Sequence, residues 1–377
     1  MNQPIVMLGD VAVIVAGQSP KGSDIFESPA RYPFHQGVRD FGRIYPTDRT
    51  YVDNPPRLAE AGDVLLSVRA PIGRVNKAQK ITAIGRGLMA LRGGERLDTD
   101  YLFYLLASLA SQWGRYESGG SVFSNLGKAE LAKVPIALPS ITEQRRISAL
   151  LDVIDDKIES NQRVITAALE VARGHVDNVS QGRPLVTYSS FLEVTMGAAF
   201  KGDYFSEPGR GRPLLRIRDL KTFTSQVWTV EERKDETIIH PGDLVVGMDA
   251  EFRATLWLGN DSVLNQRVCS FRGKAGVCRA FVLAALESEL SFQERAKTGT
   301  TVIHLNKADI DTFVVPELST NEHRELFETT EPLIELVVAR AKEVQTLSAI
   351  RETLLSELLS GRVSIPETGE ELLESTA

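Results

Sequence analysis

A chain of 377 residues with 42% hydrophobic and 25% charged residues is long enough for two or three globular domains, and this composition excludes a disordered or collagen-like polypeptide. Two cysteines, Cys269 and Cys278, and five scattered histidines cannot build a disulfide framework or a four-ligand structural zinc site, so no metal is expected and a reducing, cytoplasmic setting is. The first basic residue is Lys21 and no apolar run approaches the roughly 18 residues of a membrane span, which argues against an export signal and against integration in a membrane. The net charge of -7 lacks the basic footprint of a nucleic-acid binder, but it is unevenly spread. Residues 1–141 carry 16 basic and 13 acidic side chains, residues 182–320 carry 17 and 18, and residues 321–377 carry 5 and 12. The acidity therefore sits in helix-like and tail stretches, and the two larger blocks leave room for a nucleic-acid surface.

In chain order, the apolar runs 11–15, 63–68 and 88–91 are bounded by Gly or Asp and predict short buried strands. Residues 100–113 have helical spacing, with Leu102, Leu105, Leu106 and Leu109 on one face. Together they give an α+β domain of about 140 residues. The stretch Val134-Pro135-Ile136-Ala137-Leu138-Pro139 cannot be helical throughout, and Thr142-Glu143-Gln144 supplies an N-cap candidate after it. From there Ile147, Leu151, Ile154, Ile158, Ile165, Ala168 and Ala172 recur at spacings of three, four and seven. This is a coiled-coil seam with Asn161 at one seam position.

A shift of 180 residues then repeats the pattern. It lays Gly17, Lys21 and Gly22 on Gly197, Lys201 and Gly202, Gly62-Asp63 on Gly242-Asp243, and Arg92-Gly93 on Arg272-Gly273. Between residues 17 and 122 there are 16 ungapped identities in 106 positions, against about six for shuffled residues. The second copy ends in Val315-Pro316-Glu317-Leu318 and a second helix whose stripe is Leu333, Val337, Val344, Leu347, Leu354 and Leu358, with Gly361 as its stop and Pro332 expected to kink or restart it. Each helix runs some 35 to 40 residues, roughly 55 Å at 1.5 Å per residue. That exceeds what a small domain can cover, so the two helices are expected to cover each other. The resulting plan is a domain over 1–141, a helix over 142–181, a second domain over 182–319, a second helix over 320–362 and an acidic tail over 363–377.

Three segments in this order carry a family resemblance: Ala61-Gly62-Asp63-Val64-Leu65-Leu66-Ser67-Val68-Arg69-Ala70-Pro71-Ile72-Gly73, then residues 119–126, then Ile136-Ala137-Leu138-Pro139-Ser140-Ile141-Thr142-Glu143-Gln144. With their diverged copies at 299–307 and 313–321, they make nearly the whole chain resemble the specificity subunits of type I restriction-modification systems. The second copy departs from the pattern, with Thr320-Asn321-Glu322 where the first has Thr142-Glu143-Gln144. The resemblance implies two target-recognition domains, each reading one half of a bipartite site in double-stranded DNA, separated by an antiparallel coiled coil that sets the spacer. It also implies partners: methyltransferase subunits, two of them, that bind S-adenosylmethionine and methylate adenine, and restriction subunits that use ATP and Mg. The chain itself is expected to bind no cofactor and to be noncatalytic alone.

Sequence readout favours Arg on guanine and Asn or Gln on adenine, with hydroxyls and Lys on phosphate. On that chemistry the candidate DNA contacts are Gln36, Arg39, Arg43, Arg69, Arg74 and Ser121 in the first domain, and Arg216, Arg218, Lys221, Arg253 and His304 in the second. The repeated glycines read as backbone turns. Three other readings stand beside this one. A self-contained modification enzyme would need a glycine-rich cofactor loop and a base-flipping motif ending in an aromatic residue, but no such loop follows a strand and Asn54-Pro55-Pro56 is followed by Arg57; the lack of a GxxxxGK[ST] loop excludes the usual translocating motor. A nuclease built on Asp243 and Glu251 lacks a matching acidic pair beside Asp63. A coiled-coil scaffold that does not bind DNA is the third reading.

Overall fold

The computed structural model describes residues 4–110, 113, 125–249, 252–297 and 304–365. The chain divides into two compact units, Met1–Asp156 with Ala349–Ala377, and Lys157–Ser348. In the first unit the strands are β1 (Ile5–Met7), β2 (Ala12–Ala16), β3 (Tyr32–His35), β4 (Tyr51–Val52), β5 (Leu58–Ala59), β6 (Val64–Ser67), β7 (Val75–Lys77), β8 (Thr82–Ile84) and β9 (Leu88–Gly93). Helices α1 (Thr99–Ser108) and α2 (Lys128–Ala132) follow, then β10 (Pro135–Ala137) and the long helix α3 (Ile141–Ser180). The strands form two four-stranded sheets, β2-β9-β6-β7 and β4-β3-β8-β5, and a β1-β10 pair that closes the domain. Within the second sheet β3 and β8 run parallel.

Strand β6 explains the layering. Its four residues are all buried. Val64 and Leu66 share a core with Leu102, Leu105 and Leu106 of α1. Leu65 lies in a different core with Ala59, Ile84 and Leu88. Alternate side chains leave a strand on opposite faces, so β6 is covered on both sides and its sequence is an unbroken apolar run. At the start of α1 the Asp98 carboxylate accepts the Tyr101 N–H at 3.0 Å and caps the helix.

The second unit repeats this order: β11 (Leu185–Thr187), β12 (Leu192–Met196), β13 (Phe205–Ser206), β14 (Arg212–Leu215), β15 (Trp228–Thr229), β16 (Ile238–Ile239), β17 (Leu244–Gly247), β18 (Ala254–Leu256), β19 (Ser262–Leu264) and β20 (Val268–Gly273). Then come α4 (Arg279–Lys297), α5 (Lys307–Ile310), β21 (Val314–Pro316) and the long helix α6 (Thr320–Leu359). Its sheets, β12-β20-β17-β18 and β13-β15-β14-β19-β16, match the first unit strand for strand, apart from the short added β13. Val245 repeats the role of Leu65, in a core with Leu215, Trp257 and Leu264. The duplicated Gly62-Asp63 and Gly242-Asp243 are turns: both glycines have positive φ, +89° and +94°. The two carboxylates accept the N–H groups of Glu60 and His240, each at 2.8 Å.

The fold is thus α+β, two tandem homologous domains with two long helices paired antiparallel as a coiled coil. In the first unit Ile147 and Leu151 share a core with Leu358 and Leu359. In the second, Ile165, Ala168, Ala172 and Val176 pack with Leu326, Ile334, Val337 and Ala341. There Lys157 pairs with Glu343 and Arg183 with Glu322, so the partner's number falls as the first rises. Ile154 and Ile158 are buried as the seam requires, and so is Asn161.

Three details differ from the sequence reading. Helix α3 starts two residues earlier than Thr142 as its cap would give, with Ser140 in that role: Ser140 Oγ accepts from Glu143 N at 3.2 Å, while α6 starts at Thr320 as expected and Ser319 exchanges bonds with Glu322. In α6, Leu326, Ile334 and Ala341 are buried, whereas Leu333, Val344, Leu347 and Leu354 are only partly so. The apolar face is wider than a two-position seam because α6 also lies on its own domain, where Thr330 meets Cys278 at 3.3 Å. Finally, α6 continues through Pro332. The Arg279 guanidinium binds Glu331 and Glu335, one on each side of the proline, and holds the two turns together.

Candidate nucleic-acid interface

The ends of β2, β3, β6 and β8 and the start of β9 meet at one edge of the first domain. In the first domain Val68 N donates to Gly87 O at 2.9 Å and Leu126 N to Val68 O at 3.0 Å, and Arg69 and Asn125 form an isolated β-bridge. Gly85 N donates to His35 O at 2.9 Å, and Gln18 N to Ile84 O at 2.9 Å. Residues 17–19, 35–37, 67–74, 85–87 and 125 therefore make one continuous set of loop ends. Its backbones are too close for larger residues at some places: a Cβ on Gly17 would sit 2.1 Å from Gly85 O, and one on Gly87 would sit 2.2 Å from Gln36 O. The 67–74 loop is braced from within, since the Ser67 hydroxyl donates to Pro71 O at 2.7 Å and accepts from Arg74 N at 2.9 Å. The second domain repeats the arrangement. Met248 N donates to Arg267 O at 3.0 Å, Leu305 N to Met248 O at 2.8 Å, and Asn265 N to Leu215 O at 3.3 Å. Asp249 and His304 bridge as Arg69 and Asn125 do.

Gln36, Arg69 and Arg74 are exposed on these loop ends. Arg39 is exposed in the turn that follows β3, a turn fixed by buried Asp40, which accepts from Gln36 N at 3.2 Å. In the second domain the corresponding carboxylate is Asp219, which accepts from Arg216 N at 3.0 Å and Gln226 N at 3.3 Å. Burial pushes the Asp219 carboxyl above the usual carboxylate range, against the pull of those bonds. Around it Arg218 and Lys221 are exposed. Arg216 is half-buried, with its guanidinium 6.0 Å from the centre of the Phe205 ring. His304 Nδ1 lies 2.7 Å from Asp249 Oδ1.

The remaining candidates lie apart from these loops. Arg43 gives its guanidinium to Asp155 of α3, both to the carboxylate and to the backbone oxygen. A side chain committed to a helix in this way is a brace. Arg253 is exposed on the rim of a cavity of about 530 Å³ that Leu169, Phe252, Leu283 and Leu290 also line. Ser121 lies outside the described residues, as does Glu251, while Asn54 is exposed in the irregular loop between β4 and β5.

Sequence reasoning missed Arg86, Asn125, Asp249, Gln266 and Arg267. Arg86, Gln266 and Arg267 are exposed on the turn between the last two sheet strands of each domain. A signal for the first was present: Gly85-Arg86-Gly87 sets one long cation between two residues with no side chain. What this surface offers is a row of guanidinium and amide donors on fixed loop ends, the chemistry that serves base edges and phosphates. Among the described residues no group of three or more His, Cys, Asp or Glu could hold a metal ion, and no helix is long and apolar enough to cross a membrane.

Fold and surface together define a class: a duplicated α+β protein on an antiparallel helix pair, with divergent polar loop ends on a shared framework. Residues 4–171 match the family model described as type I restriction modification DNA specificity domain. The putative type I restriction enzyme MjaX specificity subunit of Methanocaldococcus jannaschii is 38% identical over 151 residues, 40% of this chain and 35% of that protein. The EcoBI specificity subunit of Escherichia coli is 29% identical over 184 residues, 48% of this chain and 39% of that protein. The MjaIX specificity subunit of M. jannaschii is 22% identical over 369 residues, 85% of this chain and 82% of that protein. In the first two cases the match spans little more than a third of the relative's length. The crystal structure of a type I restriction-modification system S subunit from M. genitalium has the same fold, with a TM-score of 0.65 at 16% identity over 95% of this chain and 96% of that one. Residues 4–171 thus resemble the DNA specificity domain of type I restriction-modification systems, and the chain as a whole shares the fold of the M. genitalium S subunit.

Proposed function

We propose that the chain is the DNA-reading subunit of a type I restriction-modification complex, in which each domain reads one half of a bipartite site and the helix pair sets the distance between the halves. The observation that carries this reading is the duplicated loop framework with different side chains on it: Gln36, Arg69 and Arg86 in one copy, Arg216, Asp249, Gln266 and Arg267 in the other. Two similar domains on one chain act as a dimer does on DNA, but read two sequences where a true dimer reads one twice. Methyl transfer to adenine, with S-adenosylmethionine as donor, then belongs to partner methyltransferase subunits. Cleavage, with ATP and Mg, belongs to restriction subunits. The test is a domain exchange. Replacing residues 1–140 with the equivalent domain of a relative should change one half of the methylated site, read by methylome sequencing, and leave the other unchanged. A simultaneous change in both halves, or methyl transfer by the purified chain alone, would overturn the reading.

A further inference from the structure

Backbone pairing puts three positions of each domain in correspondence: Arg69, Gly87 and Asn125 in the first, Asp249, Arg267 and His304 in the second. The framework is the same but the charges are not. Where the first domain has a cation at the central strand end, the second has a carboxylate, flanked by a cation and an imidazole. Asp249 Oδ1 lies 2.7 Å from His304 Nδ1 and 3.4 Å from Arg267 Nη1, and Nη1 is 3.5 Å from His304 Nδ1. The side chains are 32% (Asp249), 36% (His304) and 54% (Arg267) exposed.

An acid at a DNA-facing edge repels phosphate, so a backbone-contact role does not account for Asp249. An exposed arginine on a turn, for its part, loses much side-chain entropy when it orders on a base. A carboxylate that already holds one terminal nitrogen reduces that loss. It also leaves donors for a second partner: among the described residues no hydrogen bond engages Nε or Nη2 of Arg267. Two-point donation from a guanidinium matches the O6 and N7 edge of guanine. We propose that Arg267 reads a guanine in the second half-site, and that Asp249, tied to His304, is the positioning residue that aims it. The assignment rests on the function proposed above.

The experiment uses the full chain assembled with its methyltransferase subunits and measures methylation across a DNA library randomised at each position of the target. Arg267→Ala should lower discrimination for guanine at one position of the second half-site by at least about tenfold and leave the first half-site unchanged. Arg267→Lys keeps the contact with Asp249 but not the two-point donation, and should relax the same position; it carries the test if the alanine form fails to assemble. Asp249→Asn should relax that position and no other. A wild-type complex without sequence-selective methylation would remove the proposed function and this assignment with it. A selective wild-type complex whose Arg267→Ala and Arg267→Lys forms keep full discrimination overturns the assignment alone, as does relaxation at a different position in Asp249→Asn.

Discussion

Asp155 is 1% exposed, yet its carboxylate binds three side chains. Arg43 reaches it from the loop after β3, Arg351 Nε from α6 at 2.7 Å, and the Tyr104 hydroxyl from α1 at 2.9 Å. Burial, with Asp155 beside it, pushes the Tyr104 phenol far above its usual range, so the hydroxyl stays a donor. Removing the centre of such a cluster takes the carboxylate from two guanidinium groups, of which Arg351 is only 20% exposed, and leaves the Tyr104 hydroxyl with Asp152 alone. Asp155→Ala should therefore destabilise the first unit by about 3 to 5 kcal/mol, measured by chemical denaturation. Arg43→Ala should cost less, because Arg43 is 39% exposed, and should leave the methylated sequence unchanged. A shifted recognition sequence in Arg43→Ala would return that residue to the DNA surface. His323 offers a pH test. It is buried between the rings of Phe191 and Phe281, and neither ring nitrogen has a hydrogen-bond partner among the described residues. Burial holds its pKa below the ordinary histidine value, a pull that neighbouring Glu322 only partly offsets. The unfolded chain then binds the proton first, so the stability His323 provides is full above about pH 6.5 and is lost as pH falls through the lower folded value. His323→Gln places there the residue that the first repeat carries as Gln144, whose amide donates to Arg96 O at 3.0 Å and Pro139 O at 2.9 Å. It should flatten the acid limb of the second unit's denaturation curve. His35, buried in the first unit with its pKa lowered by burial, should keep its own share. An unchanged acid limb in His323→Gln would show that the imidazole is not the group that titrates.

The two long helices are made continuous by packing rather than by propensity alone. Pro332 removes one backbone donor from α6 and costs a helix interior about 3 kcal/mol relative to alanine. Ile334 and Val337 are buried immediately beyond it, and the Arg279 pair with Glu331 and Glu335 spans it. If these contacts offset the proline, Pro332→Ala should raise the stability of the second unit by roughly 1 to 3 kcal/mol without altering helix content, as thermal unfolding and circular dichroism would read. A loss of stability would mean that the proline sets a bend on which the packing depends. The C-terminal end of α6 follows a simpler rule. Gly361 has φ of +69° and its N–H donates to Leu358 O at 3.1 Å, the stop that a glycine supplies at no steric cost.

For the whole molecule, the ruler is the property that follows from the proposed function and from no single domain. One heptad added to each helix preserves the phase of the seam and lengthens each by about 10 Å, near three base pairs of B-form DNA. The antiparallel register of the second unit, with Lys157 against Glu343, places the matching insertions after Ile158 and close to Glu343. A complex assembled on such a chain should methylate a site with the same two half-sites and a longer spacer. Methylome sequencing reads both quantities at once. An active complex with an unchanged spacer would sink the ruler, and altered half-sites would mean that the helices themselves read bases.

The 180-residue repeat, the buried strands 63–68 and 88–91 and the two long helices were legible in the sequence because each leaves a periodic apolar trace. Strand β6 reads as an unbroken run only because both its faces are covered, and the duplicated Gly62-Asp63 and Gly242-Asp243 advertise a turn that few other pairs can make. The proposed recognition surface leaves no such trace. An exposed arginine looks the same in sequence whether it ends on a helix, as Arg43 does on Asp155, or stands on a loop end, as Arg86 does. Asp249, Arg267 and His304 lie 18 and 37 residues apart and become neighbours only through the pairing of Met248 with Arg267 and Leu305. Periodicity along the chain therefore determined the architecture, because burial acts on every turn of a helix and every second residue of a strand. Which polar side chains share one surface was decided by tertiary pairing of strand ends, a relation that local pattern does not encode.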